Sequence, residues 1–60
     1  MTYTVEDFHV GQGVVYRAHP DAAPEDGIVT KISEFFVFVR YRGDVGSKAT
    51  RPGDLQPVRR

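Results

Sequence analysis

Two runs rich in β-branched and aromatic residues lie almost back to back in this chain. They are residues 27–32 (GIVTKI) and residues 35–41 (FFVFVRY), with only Ser33 and Glu34 between them. Strands so close in sequence pair as an antiparallel hairpin. Ser33-Glu34 lacks the Asn-Gly or Asp-Gly of a two-residue primed turn, so a slightly longer loop is expected. The later run splits into Phe36, Phe38 and Arg40 on one face and Phe35, Val37, Val39 and Tyr41 on the other. Both rows are largely apolar, which leaves two registers open. The charge on Arg40 points to Val37, Val39 and Tyr41 as the inward row. As the run densest in β-formers, residues 35–41 are expected to form the central strand.

Shorter segments complete the pattern. Glycines at 11 and 13 permit a tight entry into a first strand at residues 14–17. Residues 18–26 (AHPDAAPED) carry two prolines and three acids without alternation, and predict a long loop. Gly27 is the expected site of a bend or bulge in the second strand. Residues 42–47 (RGDVGS) read as a turn and residues 48–51 as a short fourth strand. Residues 52–55 (PGDL) predict one helical turn that drops Leu55 into the core, and residues 56–58 a fifth strand. Pro57 cannot donate to a ladder, which places that strand at an edge. No segment keeps a helical apolar period. The pattern predicts an all-β fold: one domain over residues 1–60, five short strands in a small bent barrel, with residues 1–7 as a lead-in.

Composition narrows the function classes. At 60 residues the domain is small, and without cysteine neither a disulfide nor a thiolate can assist it. The longest apolar run, residues 35–39, is far short of the ~20 residues of a membrane span. The opening MTYTVEDF carries acid where a secretory signal carries base, so a cytoplasmic location is expected. Formal charge is zero overall, but residues 1–30 sum to minus four and residues 31–60 to plus four. In a small barrel the two halves interleave, and mutual neutralisation is the simpler consequence.

The spacing Phe8-x-Val10-Gly11-Gln12-x-Val14-Val15-Tyr16, then Gly27-x-Val29-x-x-Ile32, then residues 36–41 and Asp54-Leu55, resembles SH3-like small barrels of the Tudor and KOW types. More narrowly, the chain from about Phe8 to Leu55 is similar to small proteins encoded by actinobacterial phages and prophages. That likeness implies fold and lineage, and with them a phage accessory protein in a host cytoplasm; it transfers no ligand. The sequence departs from the binding subtypes. Tyr16, Tyr41 and Phe36 offer rings for a methyl-lysine cage, but no spacing fixes one. There is no Trp for it or for a proline-binding surface, and the acidic residues 18–26 replace the basic loop of the KOW type.

Candidate chemistry is sparse. His9 and His19 have no third ligand at metal spacing, so no metal or other cofactor is expected. Gly11-x-Gly13 precedes no helix, and no nucleophile sits in an elbow, so no catalytic residues are assigned. Two surfaces remain. Phe36 and Phe38, left outside if Val37, Val39 and Tyr41 point inward, would form with Tyr16 a protein-binding patch. A host or phage protein, a second copy, or the N-terminal segment 3–8 could cover it. Arg40, Arg42, Lys48 and Arg51 near those rings offer cations and stacking faces suited to single-stranded nucleic acid. Balanced charge weighs against a polyanion. The expected function is therefore a non-enzymatic interaction module for a protein partner. Nucleic-acid binding and a self-assembling structural subunit are the alternatives.

Overall fold

The structure, a computed structural model, describes residues 3–58; Met1, Thr2, Arg59 and Arg60 lie outside the described residues. Five antiparallel strands form one curled sheet. They are β1 (Gly13–Tyr16), β2 (Glu25–Ile32), β3 (Val37–Tyr41), β4 (Lys48–Thr50) and β5 (Leu55–Pro57), in the spatial order β4-β3-β2-β1-β5. One 3₁₀ turn, Val5–Asp7, precedes the sheet, and a second, Pro52–Asp54, links β4 to β5.

Within this sheet the central strand is β2, not the Phe-rich run. Residue density in β-formers reports how well a strand packs, whereas position follows from pairing. At eight residues β2 is long enough to pair with β1 through residues 25–28 and with β3 through residues 27–32, the two overlapping at Gly27 and Ile28. It also begins at Glu25, so it takes Glu25 and Asp26 out of the expected loop. Phe35 and Phe36 in turn belong to the hairpin loop. Ser33 N–H donates to the Phe36 carbonyl at 2.9 Å, and Phe36 N–H donates to Ser33 Oγ at 3.0 Å. The serine side chain thus closes a loop over residues 33–36 and delays β3 to Val37. At the other edge β5 pairs only with β1, which is where Pro57 is tolerated.

Inward residues follow the period of two. Val14, Val29, Val37, Val39, Tyr41 and Leu55 are buried, and Phe8 joins them from the N-terminal segment. This is the register in which Arg40 faces solvent. Leu55 is the residue the Pro52–Asp54 turn delivers to the core. Tyr3 and Val5 pack on this core, with the Tyr3 and Phe8 rings edge to face at 5.8 Å. The segment therefore closes the inner face of the sheet and leaves Phe36 exposed.

Gly27 does not carry the bulge. The register shifts between Val29 and Lys31, where Thr30 Oγ1 donates to the Phe38 carbonyl at 3.2 Å. Gly27 is needed for space: a Cβ there would collide with Val39 Cγ1 and lie 3.1 Å from Tyr41 Cδ1. Glycine conformation matters instead at Gly11 and Gly43, with φ of 90° and 86° in the turns before β1 and after β3.

Candidate functional site

Curling brings residues from distant parts of the chain around one open hollow of about 310 Å³. Tyr16 at the end of β1, Tyr41 at the end of β3 and Phe36 from the hairpin loop supply its rings. Lys48 and Arg51, at either end of β4, and Asp54 from the second 3₁₀ turn supply its charges. Tyr16 and Tyr41 contact edge to face at 5.8 Å, a favoured arrangement for two rings. The Tyr41 hydroxyl meets that of Thr50 at 2.7 Å, so its polar end is satisfied below the surface. Burial pushes the Tyr41 phenol above its ordinary value of 10.0. The Thr50 hydrogen bond opposes that rise, and Tyr16, Glu25 and Asp54 add to it.

The residues expected to bind protein are thus divided. Tyr16 and Phe36 line this hollow together. Phe38 faces the other way, half-buried on the outer surface of the sheet with the Lys31 ammonium 5.7 Å from its ring centre. The four basic candidates are also divided. Arg40 and Arg42 line a separate hollow of about 560 Å³, where Asp26 and Asp44 stand with them. Lys48 and Arg51 belong to the aromatic hollow, and Lys48 Nζ lies 3.6 Å from Asp44 Oδ2.

Tyr41 and Asp54 line the aromatic hollow without a site assignment from the sequence, although the sequence offers Tyr41 beside Tyr16 and Phe36 as a source of rings. Tyr41 reads as core and is buried, yet its ring edge reaches the lining. Asp54 reads as part of a turn. Both sit at ends of elements, and the ends come together only when the sheet curls; alternation along a strand carries no signal for that. His9 and His19 are both exposed, and among the described residues no group of three or more His, Asp or Glu side chains converges. Among the described residues no helix is long and apolar enough to cross a membrane.

The chain matches no family model, and no curated protein or solved structure matches it.

Proposed function

We propose that this protein is a non-enzymatic interaction module on an SH3-like barrel, and that it binds a protein segment in the hollow of Tyr16, Phe36 and Tyr41. The observation that carries this reading is the convergence of three rings on one open surface with cations at its rim. Aromatic rings and arginine are the side chains enriched at protein interfaces, and the hollow holds three such rings and Arg51. An SH3-like assignment draws support from the sequence spacing quoted above. It is also consistent with the five-stranded order and with the 3₁₀ turn between β4 and β5. In this reading the protein is a phage accessory factor that acts in a host cytoplasm on a host or phage protein.

Nucleic acid ranks second. Its basic residues are spread over two hollows, and carboxylates stand in both: Asp26 and Asp44 beside Arg40 and Arg42, Asp54 beside Arg51. Those carboxylates repel a polyanion and remain compatible with a protein of mixed charge.

Capture from host lysate by tagged protein, with and without nuclease, tests the reading when Phe36→Ser is run beside the native chain. A protein retained after nuclease and lost in Phe36→Ser is the expected result. Retention undiminished in a folded Phe36→Ser variant overturns the hollow as the site. Partners lost with nuclease, and lost again in Arg40→Ala with Arg42→Ala, would move the assignment to nucleic acid.

A further inference from the structure

The hairpin between β2 and β3 holds a phenylalanine out in water, and it does so with a built loop. Phe35 is 71% exposed at the tip. Beneath it Ser33 and Phe36 are tied by three hydrogen bonds: Ser33 N–H and Ser33 Oγ to the Phe36 carbonyl, at 2.9 and 3.1 Å, and Phe36 N–H to Ser33 Oγ at 3.0 Å. A loop closed in this way presents Phe35 with little conformational freedom left to lose on binding. Glu34 stands beside it, exposed. The next residue along, Phe36, already lines the aromatic hollow. Tip and hollow are therefore neighbours on one surface, and their chemistry is complementary. The tip offers a ring and one carboxylate; the hollow offers Tyr16, Phe36 and Tyr41 with two cations, Lys48 and Arg51, against the single carboxylate of Asp54. Among the described residues Arg51 has no ion-pair partner, since the ion pair at the rim is Lys48 with Asp44.

From this complementarity we infer that a second copy of the chain is an occupant of the hollow. Two molecules related by a two-fold axis insert Phe35 into each other's hollow, and Glu34 of each meets Arg51 of the other. A two-fold pairing uses the same patch on both copies, which requires donor and acceptor to lie on one face; the adjacency of Phe35 and Phe36 supplies that. Volume is sufficient: a cavity of about 150 Å³ accepts benzene, and this hollow measures about 310 Å³. The pairing closes on itself, so it yields a dimer and no fibre. It also withdraws Phe35 from water, which explains why so apolar a tip is compatible with a balanced surface.

The inference rests on the reading of the hollow as a binding site and specifies one ligand for it. Sedimentation equilibrium of the whole chain from micromolar to millimolar concentration is the test. Mass should rise with concentration toward twice the 6.7 kDa of the monomer. Phe35→Ala should weaken association roughly thirtyfold or more, the effect of losing a buried aromatic anchor. Glu34→Arg should also weaken it, and Glu34→Arg combined with Arg51→Glu should restore it. Circular dichroism should be unchanged in each variant, because all three side chains are exposed.

A concentration-independent monomer overturns the inference, and so does a dimer indifferent to Phe35→Ala. Failure of the wider reading looks different. Phe35 is not part of the hollow lining, so Phe35→Ala leaves a capturing hollow intact. A Phe36→Ser variant that still captures the partner removes the hollow itself.

Discussion

The hydroxyls of Tyr41 and Thr50 lie 2.7 Å apart in the floor of the aromatic hollow, tying the last residue of β3 to the last residue of β4. Both residues are buried, so neither hydroxyl has ready access to water if the other is removed. Tyr41→Phe should cost about 1–3 kcal/mol, the penalty for leaving a buried hydroxyl without its partner. In a domain this small that lowers the melting temperature by about 4–8 °C per kcal/mol. Thr50→Val added to Tyr41→Phe should cost less than the sum of the single changes, because no polar atom is then left unpaired. Urea denaturation of the four species measures this, and strict additivity would remove the bond from the account of stability.

Alkaline pH should act on the same residue. The Tyr41 phenol is pushed above 10.0 in the folded chain, first by burial. Between the unfolded and folded values the unfolded chain holds fewer protons, so stability falls as pH rises. This contribution is complete below the unfolded value and is lost as pH climbs through the folded one. Melting temperatures measured on either side of pH 10 should therefore decline, and Tyr41→Phe should decline less. An equal decline in both would assign the effect to other groups.

Gly27→Ala should destabilise the sheet although alanine has the better intrinsic stability in most contexts. Its Cβ would collide with Val39 Cγ1 and approach the Arg40 carbonyl oxygen to 3.2 Å. Overpacking of this kind costs about 1–3 kcal/mol. Because Val39 is fully buried, relief requires a shift of β3 against β2. Thermal melts of Gly27→Ala beside Gly46→Ala, where a Cβ meets nothing within 4 Å, provide the comparison. Equal melting temperatures would contradict the close approach.

Ser33→Ala should loosen the hairpin tip while leaving the sheet folded. It removes the acceptor of the Phe36 N–H and one donor to the Phe36 carbonyl. The loop is exposed and water replaces both, so stability should fall by only about 1 kcal/mol. Self-association should weaken more than this suggests, since a mobile Phe35 must be ordered on binding. A dimer as tight as the native one would show that loop closure does not prepare the contact.

Much of the fold was legible along the chain. The alternation in residues 37–41, once Arg40 is set outward, identifies Val37, Val39 and Tyr41 as core. Pro52-Gly53-Asp54 announces its turn, and Leu55 lands where that turn sends it. These features rest on local rules of strand period and turn chemistry, which neighbours in sequence satisfy by themselves. The place of β2 at the centre was not legible, because pairing on both sides depends on β1 and β3 coming from either direction. Nor was the role of Gly27, whose space is taken by Val39 on another strand.

The candidate site divides in the same way. Composition made Phe36, Tyr16 and Phe38 conspicuous, but residue type does not say which face a ring ends on. Ser33 settles part of it: by holding the Phe36 main chain, it keeps Phe36 out of β3 and turns the tip outward. Arg40, Arg42, Lys48 and Arg51 look like one cluster on paper. In space they line two hollows, because Lys48 opposes Val39 across the ladder while Arg40 lies in the outward row.

By itself the sequence determined that this chain is all-β, and where its strands and turns fall to within about two residues. Those follow from side-chain periodicity and from glycine, proline and serine acting on their own backbone. Only the tertiary structure decided that Tyr16, Phe36 and Tyr41 share one hollow with Lys48 and Arg51, and that Phe38 does not. Curling of the sheet sets those distances, and curl is a property of all five strands pairing at once.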